Sequence, residues 1–180
     1  MPEWKSFTFG DDGEAKPEAM PAPPPPPPAV EADEYAAKWG PEVSELTIER
    51  IEKVLEGDGL PHGSNEFIAV TQLEDVQFQI HREPVDAPWA QIETRIAVPG
   101  EGHTEVSLQE KANEWNNAHL QPTVFPIEDG DDWVLMAASR FFVGEGLSDR
   151  QIHAMLRRGL IIGLSAAQEI PALFAQGSDE

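Results

Sequence analysis

The chain of 180 residues contains no cysteine. Thiolate catalysis, zinc held through sulfur, iron–sulfur clusters and disulfides are thereby excluded. Nothing in the composition points to an oxidising compartment. Basic residues are scarce too: 12 Lys and Arg stand against 33 Asp and Glu, for a formal net charge of −21. Binding to a phosphate backbone relies on Lys and Arg, so this field disfavours nucleic acid. It disfavours anionic membrane surfaces for the same reason. A basic protein partner is compatible with it, and so is plain colloidal solubility, the simpler reading. Long hydrophobic runs are missing. The most apolar stretch, residues 159–167, is too short to span a bilayer and sits in an amphipathic pattern. The start, Met1-Pro2-Glu3-Trp4-Lys5, lacks a basic segment followed by an apolar one, so it does not read as a signal peptide. These absences together predict a cytoplasmic protein.

Proline is plentiful, and it is concentrated. Nine of the 17 prolines fall in the first 40 residues, six of them consecutively from Pro23 to Pro28. Such a run adopts an extended helix without internal hydrogen bonds. The Ala, Glu and Asp around it cannot bury enough surface to fold. Residues 1–40 are therefore expected to form a disordered, acidic, proline-rich tail, and residues 41–180 a single domain with room for a core. At the extreme N-terminus Trp4, Phe7 and Phe9 precede Asp11 and Asp12. An aromatic and acidic peptide on a stiff tether suits docking in a groove, and polyproline suits an aromatic-lined module. A solubilising tail is the plainer alternative.

The domain shows helical and alternating periodicities in turn. Leu46, Ile48, Ile51, Val54 and Leu55 predict a first helix, with Thr47 as N-cap and Gly57-Asp58-Gly59 as its stop. Lys53 follows Glu49 at four residues as a surface pair. Glu66–Val70, Val76–Ile80 and Ile92–Val98 read as three strands, the last two alternating apolar with polar residues as a meander with one wet face. A second helix is expected from Ser107, with Ser107 and Glu110 as a capping box and Pro122 beyond its end. Thr123–Ile127 and Trp133–Val143 flank the turn Glu128-Asp129-Gly130-Asp131-Asp132 as a hairpin whose longer strand is central. Ser148 and Gln151 cap a last apolar helix, with Pro171 near its end. The order α-β-β-β-α-β-β-α predicts an α+β fold, an antiparallel five-stranded sheet with helices packed on it.

Several segments carry a resemblance. Leu46-Thr47-Ile48-Glu49-Arg50-Ile51, Ala112-Asn113-Glu114-Trp115-Asn116, and Gly144-Glu145-Gly146-Leu147-Ser148-Asp149-Arg150-Gln151 with the apolar helix after it are similar to the YbjN family of bacterial proteins, over roughly residues 44–173. The resemblance implies a fold like that of type III secretion chaperones, small dimers that hold partner segments, and a role in sensory-transduction regulation. The acidic, proline-rich N-terminal extension is not part of that pattern.

Convergent chemistry is hard to find. His62, His81, His103, His119 and His153 include no pair at i, i+4 on one helix. They read as ordinary surface histidines, His62 and His103 in loops. The carboxylates of the turn 128–132 lack calcium-loop spacing, and Glu110 and Glu114 share a helix face without a reason for one to be protonated. No nucleophile elbow or phosphate-binding glycine loop is present. No metal or cofactor is expected. Asn113, Trp115 and Asn116 read as architecture: an Asn near a helix end bonds the backbone of the next strand, and the Trp pins the helix to the sheet. Arg150, Arg157 and Arg158 gather on the last helix, whose apolar surplus suggests a second buried face and a homodimer. Candidate partner-binding residues are therefore Trp4, Phe7, Phe9, Arg150, Arg157 and Arg158. The favoured expectation is a non-catalytic, chaperone-like or regulatory protein-binding module. The alternatives are a small enzyme with an unrecognised acid–base site and a tether that works through its tail.

Overall fold

The computed structural model describes residues 7–9, 15–17 and 38–175, apart from 83, 85, 101 and 131. The chain divides into two compact units, Met1–Ala32 and Asp33–Glu180. In the first, β1 (Phe7–Phe9) pairs antiparallel with β2 (Ala15–Pro17). Trp4 and the run Pro23–Pro28 lie outside the described residues.

The second unit runs β3 (Val43–Ser44), α1 (Ile48–Gly57), β4 (His62–Ser64), β5 (Ile68–Leu73), β6 (Val76–His81), β7 (Trp89–Ile96), α2 (Glu105–Ala118), β8 (Thr123–Asp129), β9 (Asp132–Phe142), β10 (Leu147–Ser148) and α3 (Asp149–Ala175). It is α+β, with an antiparallel sheet as expected. The sheet has six strands rather than five, in the order β4-β5-β6-β7-β9-β8, and β3 pairs with β10 in a separate ribbon. The extra strand is β4. His62-Gly63-Ser64 shows no apolar alternation, and its pairing with Ala69–Thr71 at the sheet edge is what makes it a strand. His62 is thus on an edge strand and not in a loop. The long strand β9 lies inside the sheet, and the hairpin turn is tighter than the carboxylate run suggests, since Asp129 and Asp132 already face each other.

The caps follow from local chemistry. Thr47 accepts the Arg50 N–H on its hydroxyl at 3.4 Å. Ser148 and Gln151 cap the last helix reciprocally, at 2.8 and 3.2 Å. The box expected at Ser107 and Glu110 is displaced by one turn. Helix α2 starts at Glu105, Thr104 is its N-cap, and Ser107 returns the bond that a Glu would otherwise make, at 3.1 Å. Helix α3 does not stop at Pro171 but continues through it to Ala175.

All three helices cover one face of the sheet. Ile51, Val54 and Leu55 of α1 and Ile152, Leu156 and Leu160 of α3 pack with Phe78, Ile80 and Ile92. Leu108, Ala112 and Trp115 of α2 and Ile170 of α3 pack with Ile96, Val124 and Leu135. The close seat of α3 needs glycine: a Cβ at Gly163 would stand 2.7 Å from Phe78 Cε1, and one at Gly159 2.4 Å from Ile92 Cδ1. Trp39, on the tail side of the boundary drawn at residue 40, is buried in the first cluster.

Arg50 fastens the two ends of the unit. Its guanidinium donates to the carbonyls of Ser44, Glu45 and Leu147 at 2.8, 2.6 and 2.7 Å, and to Asp149 at 2.7 Å. Lys53, expected to pair with Glu49, reaches Asp149 at 2.7 Å instead. The bonds from Lys53 and Arg50 hold the Asp149 carboxyl below the usual carboxylate range.

Candidate protein-binding face

Side chains alternate across a strand, so what β6 sends under the helices decides what it sends outward. Phe78 and Ile80 go inward, while Gln77, Gln79 and His81 go to the opposite face. The register then sets Trp89, Gln91, Glu93 and Arg95 of β7 on that face, opposite Phe142, Arg140, Ala138 and Met136 of β9. Phe125 and Ile127 of β8 join them beside Met136 and Val134.

The centre of this face is a chain of polar contacts across three strands. His81 Nε2 lies 2.7 Å from Glu93 Oε1. Gln91 donates to Glu93 Oε2 at 2.6 Å, and Arg140 donates to Gln91 Oε1 at 2.6 Å. The His81 contact, helped by Gln91 and opposed by burial, holds the Glu93 carboxyl below its ordinary range. Nearer the edge, Arg95 pairs with Asp129. At the other end Trp89 and Phe142 meet edge to face at 5.5 Å, yet remain 50% and 57% exposed. Beside Arg140, a hollow of about 300 Å³ is rimmed by Leu120, which is 95% exposed, and by Phe125. Apolar residues left in water around a polar centre are the composition of an interface.

The residues singled out from sequence fall on other elements where they are described. Phe7 and Phe9 are on β1. Arg150, Arg157 and Arg158 are exposed on α3, and Arg157 borders an apolar hollow with Leu60, Leu73 and the half-exposed Ile161. Asn116 makes two bonds to Val124 of β8, donating to its carbonyl at 2.8 Å and accepting its N–H at 2.9 Å. Trp115 donates to the Pro122 carbonyl at 3.2 Å and stacks on His119. Asn113, in contrast, is exposed and accepts only from Gln109 among its described contacts. His153 is not a surface residue: it is 4% exposed and contacts Asp58 at 2.7 Å. Trp89, Phe142, Leu120 and Arg140 went unnoticed in the sequence. The expected strand begins at Ile92, three residues after Trp89, and only the register brings Trp89 to Phe142.

Among the described residues, no helix is long and apolar enough to cross a membrane. No curated protein sequence matches the chain. A solved structure described as "Crystal structure of YbjN, a putative transcription regulator from E. coli" superposes with a TM-score of 0.59 at 13% identity, covering 75% of this chain and 96% of the other. At that identity the likeness speaks for the fold. A family model described as "YbjN: Putative bacterial sensory transduction regulator" matches residues 47–171. That span is well over half of the chain and takes in all three helices' cores and the whole six-stranded sheet, so the chain belongs to the YbjN family.

Proposed function

We propose that this chain is a non-catalytic regulator that acts by binding protein, and that it holds its partner on the helix-free face of the sheet. The observation that carries the reading is the Trp89–Phe142 pair, half-exposed on that face beside Arg140. Trp and Arg dominate binding hot spots because they bury large areas and still offer directed hydrogen bonds. The family description, a sensory-transduction regulator, agrees with such a role. Neither Glu93 nor Asp149 has the raised pKa that a carboxyl acting as general acid needs, since both are displaced the other way. A chaperone-like holding mode, a homodimer joined through the outer face of α3 and a cytoplasmic location complete the proposal.

The test is affinity capture with the full chain, with a chain lacking residues 1–32, and with Trp89→Ser/Phe142→Ser. Specific partners of the full chain are expected to be lost on the double substitution. Capture unchanged by it overturns the assignment of the face, and loss only on truncation moves recognition to the N-terminal unit. The same samples, sized by sedimentation, are expected to run as dimers, and monomers remove that part of the reading.

A further inference from the structure

Strands β6 and β7 are joined only at Gln79–Glu93, Ile80–Ile92 and His81–Gln91, whereas β7 and β9 pair over their whole shared length. Beyond Gln79 the two strands part. The buried Thr94 spans the gap, its hydroxyl donating to the Gln77 carbonyl at 2.6 Å. A cavity of about 330 Å³ opens there, lined by Gln77, Gln79, Glu93, Arg95, Met136 and Ala167. That volume lies at the small end of the range for ligand pockets.

Its chemistry is bipolar. Glu93 and Arg95 stand two positions apart on the same face of β7, hence about 7 Å between their backbones. They offer an anion and a cation to one small molecule, Gln77 and Gln79 supply neutral donors and acceptors, and Asp75 adds a second carboxylate to the lining. Met136, Val76 and Ala167 add apolar lining. We propose that this cleft binds a free α-amino acid, or a zwitterion of that size, with the ammonium on Glu93 and the carboxylate on Arg95.

Existing contacts leave room for both. Glu93 Oε2 accepts from Gln91 and Oε1 lies 2.7 Å from His81 Nε2, so each oxygen keeps a further lone pair. Arg95 also pairs with Asp129, but the two side chains are 56% and 41% exposed, so sharing the guanidinium with a ligand costs little. Its fork has five N–H donors to distribute. The cleft shares Glu93 and Arg95 with the proposed partner-binding face, but its test reads amino-acid binding alone, so either reading can fail while the other holds.

The experiment uses the full chain and each common α-amino acid at millimolar concentration, read by calorimetry and thermal unfolding. A subset is expected to bind and to raise the unfolding temperature by about 5–10 °C at a hundredfold excess over Kd. N-acetylated and C-amidated forms of the same amino acids are expected not to bind. Arg95→Gln and Glu93→Gln should each weaken binding about tenfold or more. Glu93→Gln also alters the contact with His81, so Ala97→Trp, at an exposed position on the cleft wall, is the second variant and should block binding with the fold intact. Binding of no amino acid at millimolar concentration overturns the inference. Binding indifferent to both Arg95→Gln and Ala97→Trp overturns it equally.

Discussion

Replacing Asn116 with Ala removes two hydrogen bonds at once. Val124 is 1% exposed, and both of its backbone groups on the α2 side are closed by the Asn116 amide, at 2.8 and 2.9 Å. Neither group gains water easily, so each is left with much of its desolvation cost, about 1–2 kcal/mol apiece. The variant should lose about 2–4 kcal/mol in all, a large share of the stability of a unit this size. In urea, with a slope of roughly 2 kcal/mol per molar, the midpoint should fall by about 1–2 M without a change of slope. Asn116→Asp sharpens the argument. It keeps an acceptor for the Val124 N–H but turns a carboxylate toward the Val124 carbonyl. At neutral pH it should be at least as damaging as Ala, and it should recover as the pH falls and the acid becomes a donor again. A midpoint shift under about 0.3 M for Asn116→Ala would refute the reasoning, because it would mean that β8 needs no clasp from α2.

Two further outcomes follow from other parts of the molecule. The folded state holds the carboxyls of Glu93 and Asp149 below their ordinary range, so each contributes stability that is present above the unfolded value near 4.5 and 3.8 and is lost as pH falls through the folded value. Urea midpoints measured from neutral to strongly acidic pH should therefore decline, and Glu93→Gln with Asp149→Asn should flatten that decline; an unchanged pH slope would show that these pairs are not linked to folding. Gly146 has φ of 79°, and a Cβ there would stand 2.5 Å from the Ser44 carbonyl oxygen, so Gly146→Ala should cost about 2–3 kcal/mol in the same assay and leave α2 and β8 least affected by hydrogen exchange.

Much of the scaffold was readable because its signals are local. Thr47 and the Ser148–Gln151 box announce their helices within four residues, and Gln77, Gln79 and His81 alternate so plainly that their outward face could be assigned without partners. The failures have a common physical cause. β4 is a strand only because β5 offers it an edge, and β3 and β10 are too short to carry a period. Thr104 was overlooked as a cap because a Ser at the third helical position does the work usually credited to Glu. The candidate face was half legible: its polar centre shows in the alternation, but the meeting of Trp89 with Phe142 depends on a register between residues far apart in the chain. The cleft depends on two strands diverging, which no pattern within either strand encodes.

The grip of Arg50 has a practical bearing on where the folding unit begins. Matching by family starts at residue 47, yet the carbonyls of Ser44 and Glu45 that the guanidinium holds lie before it, as do the buried Leu46 and Trp39. Excising the matched span alone would strip the floor from beneath α1 and leave the Arg50 guanidinium without two of its carbonyl acceptors. Anyone trimming this protein for crystals or for binding work should keep everything from Asp33 onward.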